Sequence, residues 1–291
     1  MSIKSAVNCI RKTRLTPLVS IAALHFSCLQ MADNMSNFVH KKCRDTSKSY
    51  SKSEVHRFEV PDDKVDWNTP FDSYKPPDYI DKSTIGKPWA DGDLNSRKFK
   101  WNELDGDVNR ESYIRKYDVV DGRPRNPMGR TGLQGRGILG KWGPNHAADP
   151  IVSRFKNGTL QFVAIKRGDT GEWAIPGGMV DAGEEVSATL KREFTEETLD
   201  NVENKEIECL WKKGVQIYKG YVDDPRNTDN SWMETVVMNF HDDEGLLDNV
   251  SFKGGDDATD AQFVDVKPGS KLYASHDYFI KKFAERHGVK L

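Results

Sequence analysis

Apolar and polar positions fall into two regimes along the chain. Between residues 61 and 121, Trp67, Phe71, Tyr74, Tyr79, Trp89, Phe99 and Trp101 are scattered among Pro and Asp. Short extended runs alternate there with turn signals, without a long helical period, which predicts a small, irregular, strand-containing N-terminal domain. Beyond residue 150 the pattern is regular. Residues 151–155 and 160–167 flank Asn157-Gly158, a pair that accepts the positive φ angles of a type I′ turn, so a hairpin is expected. Trp173-Ala174-Ile175 reads as a short strand stopped by Pro176-Gly177-Gly178. Residues 187–199 have a helical period, and 215–222, 235–240 and 261–266 read as strands. Residues 278–287 read as a closing helix with Phe279, Ile280, Phe283 and Ala284 as its stripe, Ser275 as N-cap and Gly288 as its end. Strands with two embedded helices and no regular βαβ alternation predict an α/β sandwich around a mixed sheet.

Composition narrows the class. The chain is 36% hydrophobic and 30% charged. No stretch approaches ~18 uninterrupted apolar residues, which argues against membrane insertion, and the profile excludes a disordered polyampholyte or a collagen-like chain. The 43 basic and 45 acidic residues nearly cancel, but unevenly: residues 1–50 hold 8 basic and 2 acidic, leaving 35 against 43 in the remainder. Lys4, Arg11, Lys12 and Arg14 all precede Asp33, the first acidic residue. On a helix Ile3, Val7 and Ile10 would share an arc away from Lys4, Arg11 and Lys12. A basic, acid-poor, amphipathic head has the physical signature of a mitochondrial presequence. A plain tail, or a secretory signal using residues 15–29, is the rival; Pro17, Ser20, His25 and Ser27 interrupt the latter. A mitochondrial location is therefore expected, with the cytoplasm as the alternative. Three of the four cysteines (Cys9, Cys28, Cys43) fall in this head and only Cys209 in the body, so neither a disulfide scaffold nor a zinc site is indicated. Residues 46–60 are polar and read as a linker. The expected division is 1–50 head, 51–135 N-terminal domain with a crossover, and 136–291 the regular α/β domain.

Residues 122–148 contain no acidic residue and carry Arg123, Arg125, Arg130, Arg136 and Lys141 among many glycines. This is either a loop that embraces a phosphate or a crossover with solvated arginines. It is too sparse for a nucleic-acid surface, and no nucleic-acid partner is expected.

The chemistry concentrates in Gly178-Met-Val-Asp-Ala-Gly-Glu184, then seven residues, then Arg192-Glu193-Phe194-Thr195-Glu196-Glu197. On a helix Glu193, Glu196 and Glu197 lie at i, i+3 and i+4, with Cβ atoms ~5–6 Å apart on one face. Their repulsion reverses sign when a hard divalent cation such as Mg²⁺ is bound, with Mn²⁺ as an alternative; Mg²⁺ takes a few carboxylates and leaves positions for water and phosphate. Arg192 is placed to fix one carboxylate, Glu184 sits at the helix entry, and Phe194 should face the sheet.

This pattern resembles the Nudix box, the signature of hydrolases acting on nucleoside diphosphates linked to another moiety, and it implies the Nudix α/β/α sandwich. The family's usual glycine after the Glu pair falls at Leu199, so the closing loop should differ. Further stretches (residues 123–133, 143–150, 218–230 and 272–274) resemble the branch of the family that hydrolyses ADP-ribose, and the Nudix-like domain ending a melastatin-type TRP channel. That resemblance implies an enzyme, an ADP-ribose diphosphatase yielding AMP and ribose 5-phosphate with Mg²⁺. It carries metal binding to Glu193, Glu196 and Glu197, with Arg192 and Glu184 in the same catalytic group, and substrate contacts to His146, Asp224, Arg226 and Tyr273. Asp224 would accept from ribose hydroxyls and Tyr273 would stack on adenine. The channel domain lacks the full acidic face that this chain retains, so catalysis rather than sensing is expected. For the general base, Asp256 and Asp257 in Gly254-Gly-Asp-Asp compete with a simple Asp-stabilised turn, and Glu234 is a further candidate.

Overall fold

Side chains alternate across strands, and here that alternation builds two cores on one sheet. The computed structural model describes residues 40–291 apart from 52, 169, 200–204, 256, 257, 270, 271 and 274. The expected presequence therefore lies outside the described residues, as do Asp256 and Asp257. The small strands come first: β1 (Asp78–Ile80), β2 (Leu104–Asp105), β3 (Val108–Asn109), β4 (Val119–Val120), β5 (Arg123–Pro124) and β6 (Gln134–Gly137). β1 pairs in parallel with β6, while β2–β3 and β4–β5 are minimal hairpins. The main sheet comprises β7 (Gly143–Lys156), β8 (Thr159–Arg167), β9 (Trp173–Ala174), β10 (Gly178–Met179), β11 (Val215–Tyr221), β12 (Ser231–Asp242) and β13 (Ala258–Asp265). Its order is β11-β12-β7-β8-β13, with β10 beside β7 and β9 beside β8.

β7 and β12 are parallel and in register from Ser231↔Gly143 to Asp242↔Arg154, whereas the other pairs are antiparallel, so the sheet is mixed as expected. Helix α1 (Val186–Thr198) covers one face, helix α2 (Lys205–Trp211) follows it, and α3 (His276–Arg286) covers the other face. Ala147, Ile151, Phe162 and Ala164 pack with Phe279, Ile280 and Phe283 of α3. Their strand neighbours Ala148, Val152 and Val163 pack with Leu190 and Phe194 of α1. This is the period of two expressed as a sandwich.

The expected hairpin turn is present: Asn157 and Gly158 have φ of 51° and 78°. The expected closing helix is present too, ending before Gly288 at φ 72°. Ser275 takes the N-cap position without a side-chain cap bond. Two features differ from expectation. β7 begins at Gly143 rather than residue 151, because its first half pairs with β12 and β10 while carrying Pro, Asn and His, which break the apolar signal. Residues 46–60 are not a loose linker: Tyr50 and Arg57 are buried against partners far along the chain, as are His40 and Cys43 before them.

Candidate active site

The turn before α1 is shaped by three glycines. A Cβ on Gly178 would lie 2.2 Å from Glu193 Oε1, and one on Gly177 would lie 2.3 Å from Asp149 Oδ1. Only glycine lets the backbone approach these carboxylates so closely. The Gly177 N–H donates to Glu197 Oε2 at 2.9 Å. Gly183, at φ 78°, turns the loop and donates its N–H to the Asp107 carbonyl at 2.8 Å, joining it to the β2–β3 hairpin.

Arg192 organises the acidic face. Its Nε donates to Glu184 Oε1 at 2.9 Å and its Nη2 to Glu184 Oε2 at 3.0 Å. Nη2 also donates to the Met179 carbonyl (3.1 Å), and Nη1 to Glu193 Oε1 (2.8 Å) and Glu196 Oε2 (3.1 Å). A guanidinium has five N–H donors, and these five bonds use them all. Glu184 further accepts from Thr189 Oγ1 at 2.8 Å and the Asp181 N–H at 3.2 Å. The Arg192 hydrogen bonds hold its carboxyl down at about 2, despite partial burial. Glu193 and Glu197 go the other way. Burial pushes Glu193 up to about 7 against the pull of Arg192, and Glu197 up to about 8 against its Gly177 hydrogen bond. Glu193 and Asp149 add repulsion at Glu197. Such a desolvated, all-oxygen donor set suits a hard divalent cation, and the glycine cradle leaves the carboxylates in place to receive one.

Phe194 points away from this face and is fully buried, edge-on to Trp211 and Phe252 at 5.6 and 6.0 Å. Leu199, where the family has glycine, accepts the role of a core residue: it is buried, caps α1 through its N–H to the Thr195 carbonyl, and bridges to Lys253. Residues 253–255 bond to the end of α1, through Lys253 N–H to the Thr198 carbonyl (2.9 Å) and Gly255 N–H to the Glu197 carbonyl (3.3 Å).

Beside the turn that enters α1 lies a cleft of about 1030 Å³ whose walls include His146, Glu184, Arg226 and Tyr273. Four expected site residues thus share one cavity, while Arg192, Glu193 and Glu196 adjoin it through Met179 and Glu184. Asp224 is placed differently from a direct ribose contact. It is buried, and its two oxygens take Arg226 Nε at 2.8 Å and Nη2 at 2.7 Å, so it holds Arg226 instead. The His146 ring stacks on Tyr113 at 4.3 Å and 21°, and its buried Nε2 has no hydrogen-bond partner. Burial pushes it down to about 4, against a hydrogen bond with the Glu111 backbone. The ring is therefore neutral near pH 7. Glu234 is fully buried and accepts from Ser112 Oγ (2.6 Å), Trp232 Nε1 (2.7 Å) and the Tyr113 N–H. Those bonds hold Ser112, Trp232 and Tyr113 in place; Glu234 does not line the cleft, and its Oε2 lies 4.0 Å from His146 Nε2.

Sequence reading missed Arg167, Tyr113 and Asp149, and singled out Lys141 only as one of five basic residues. Arg167 lines the cleft with its guanidinium 4.3 Å from the Tyr273 ring centroid. Its only local signal is a charge ending an apolar strand. Of the five basic residues in the acid-free stretch, Lys141 alone lines the cleft. Arg130 instead sits over Trp67, Phe71 and Tyr74 and donates to the carbonyls of Lys64 and Asp66, and Arg136 donates to those of Leu139 and Gly140. Arg123 pairs with Asp78 and Arg125 lies over Trp67. None of these four lines the cleft, and Arg130 and Arg136 are buried rather than solvated as the crossover reading expected. Asp149 is buried under Gly177, accepts from Thr235 Oγ1 at 2.5 Å, and is pushed up to about 6 by burial.

The profile of a NUDT9-like, N-terminal domain matches residues 60–143, and that of a NUDIX domain matches residues 145–283. A Caenorhabditis elegans protein provisionally named nudix hydrolase 6 is 54% identical over 257 residues, covering 86% of this chain and 99% of its own. The mitochondrial ADP-ribose pyrophosphatase of Rattus norvegicus is 49% identical over 275 residues, covering 85% of this chain and 78% of its own. A Nematostella vectensis protein named transient receptor potential cation channel subfamily M member-like 2 is 47% identical, covering 85% of this chain and 18% of its own.

Proposed function

This chain belongs to the NUDIX family, and from that premise we propose that it hydrolyses ADP-ribose with water to AMP and ribose 5-phosphate in a Mg²⁺-dependent reaction, Mn²⁺ being the alternative ion. The observation that carries this reading is the intact acidic face of α1, locked by the five bonds of Arg192, beside a cleft large enough for a dinucleotide. Similarity to the rat ADP-ribose pyrophosphatase over most of both chains supports the substrate.

Glu193, Glu196 and Glu197 would hold the cation. When bound, it neutralises the diphosphate and activates water for attack on phosphorus. The remaining work belongs to the chain. Arg192 keeps Glu193 and Glu196 from rotating away, the Gly177 N–H holds Glu197, and Glu184 fixes Arg192 by a bidentate bond. Arg226, oriented by Asp224, and Lys141 supply positive charge toward the phosphates or the ribose attached to them. The stacked His146 and Tyr113 form an apolar wall, and the unpartnered His146 Nε2 offers one hydrogen bond to a ligand. Tyr273, backed by Arg167, provides a second ring surface for the base. Asp256 and Asp257 are the proposed general-base candidates; the described Gly255 before them donates its N–H to the Glu197 carbonyl. Residues 1–39 would direct the enzyme to mitochondria, a location that the rat relative's name also carries.

The test is a substrate comparison with the purified chain. AMP release from ADP-ribose with Mg²⁺, abolished by EDTA and restored by excess Mg²⁺, is expected. Tight ADP-ribose binding without AMP would make the chain a sensor, and preferential release of AMP from NADH would reassign the substrate.

A further inference from the structure

Residues 40–57 grip the loop that carries Arg226. Asp223 accepts the backbone N–H groups of Lys41 (2.8 Å), Lys42 (2.9 Å) and Cys43 (3.0 Å), closing the start of a 3₁₀ turn. Beside it His40 uses both ring nitrogens: Nε2 meets the Arg130 carbonyl at 3.1 Å and Nδ1 meets Tyr221 Oη at 2.8 Å. His40, Cys43 and Asp223 come within 4.8 Å of one another, yet His40 and Asp223 are already engaged, so the cluster reads as an anchor rather than an ion site. Arg57 donates through Nη2 to the carbonyls of Pro225 (2.7 Å) and Asn227 (2.8 Å), bracketing Arg226. Between these ties sits Tyr50, 3% exposed. Its hydroxyl donates to the Arg226 carbonyl at 2.8 Å and accepts the Ile138 N–H at 2.9 Å.

Ile138 and Arg226 both line the cleft. One hydroxyl thus joins two separate wall segments, using its donor and an acceptor position together. Gly137 leaves it room, since a Cβ there would lie 2.1 Å from Tyr50 Oη. The ring itself is held independently, edge-on to Tyr79 at 5.8 Å and under Arg57 at 5.1 Å. The hydroxyl is therefore not needed to place the ring.

We propose that Tyr50 is a positioning residue for substrate binding, setting the spacing of the cleft walls at Ile138 and Arg226, and that residues 40–57 are a working part of the catalytic unit. The inference rests on the reading that Arg226 meets the substrate. It also implies that any processing of the head stops before His40.

Tyr50→Phe in the full chain removes the hydroxyl and keeps the ring. With ADP-ribose and Mg²⁺, KM should rise about tenfold while kcat stays within twofold, because the geometry of binding changes and the carboxylate face does not. The Ile138 amide should exchange hydrogen about tenfold faster, a readout that needs no substrate. Arg57→Lys, which keeps charge but loses the fork, should raise KM in the same direction. An unchanged KM, or a lower kcat at unchanged KM, overturns the positioning role. Failure of the wild-type chain to release AMP from ADP-ribose instead overturns the functional reading, and the amide exchange still reports whether Tyr50 ties the walls.

Discussion

Arg192 shows how one side chain converts a repulsive arrangement into a stable one. Three glutamates on a helix face repel; the five guanidinium bonds of Arg192 hold Glu193 and Glu196 along with Glu184 and the Met179 carbonyl, and the Gly177 N–H holds the third, Glu197. Lysine keeps the charge but cannot make this set. Arg192→Lys is expected to lower kcat/KM by about 10- to 100-fold and to raise the Mg²⁺ concentration needed for half activity, as loss of a ligand-orienting residue does. Unchanged Mg²⁺ dependence would remove Arg192 from that role. A second residue sets a pH limit. His276 Nδ1 accepts the Ile175 N–H at 2.9 Å, so the ring must stay neutral. Burial, reinforced by Arg167, Lys42 and Arg226 and opposed by Asp224, pushes it from 6.5 down to about 3. Above pH 6.5 the ring is neutral folded and unfolded. Below it the unfolded chain takes the proton first, so this group lowers stability as pH falls from 6.5 towards about 3. The slope is about 1.4 kcal/mol per pH unit. His276→Gln should remove that contribution from urea midpoints measured between pH 4 and 7, and an unaltered slope would contradict a depressed His276.

At the scale of elements, the junction of β10 with α1 depends on shape more than on charge. Gly178→Ala would press a methyl into the Glu193 carboxylate, 2.2 Å away. Displacing a ligand by about 1 Å typically costs on the order of 100-fold in rate, so activity should fall by that factor while thermal stability changes little. The opposite face of α1 carries stability. Phe194→Ala should destabilise by about 3–5 kcal/mol in urea unfolding, the usual cost of emptying an aromatic site in a packed core. A loss below 1 kcal/mol would mean that α1 is not clamped by Phe194. These elements also show what the sequence made legible. The i, i+3, i+4 carboxylates, the Asn157-Gly158 turn and the Phe stripe of α3 are local patterns, and each is where its pattern placed it. β7 and the segment from 40 to 60 depend on partners tens of residues away, which no local period reports. Lys205–Trp211, at seven residues, is too short a helix to leave a clear period. At the cleft, the box residues were legible for the same local reason. Arg167 and Tyr50 were not, and Lys141 was only one of five basic residues in its stretch, because a lone charge or ring acquires its role only from the walls that the fold brings to it.

Across the whole molecule, nearly balanced charge conceals a division of labour. The basic excess of residues 1–50 stands apart from a remainder with 35 basic and 43 acidic residues. An acidic body suits an anionic substrate only because charge is arranged locally. Arg226, Lys141 and Arg167 line the cleft, while the carboxylates of α1 are gathered to one side, where a divalent cation would sit between them and the diphosphate. The rest of the arginine-rich crossover is spent on carbonyls and aromatic rings inside the N-terminal region, so the described residues hold their positive potential at the cleft through few side chains. Residues 40–57, the NUDT9-like region and the NUDIX region all contribute to the walls of this cavity. The central claim is that the buried acidic face turns ADP-ribose binding into hydrolysis. It is tested most directly by Glu197→Gln, which preserves an acceptor for the Gly177 N–H. AMP release and ADP-ribose affinity are measured side by side on this variant and the wild type with saturating Mg²⁺. Turnover should fall by at least about 1,000-fold while ADP-ribose binds within a few-fold of wild type. Near-wild-type AMP release from the Gln variant would contradict the assignment of Glu197 and, with it, the acidic face as the seat of the reaction.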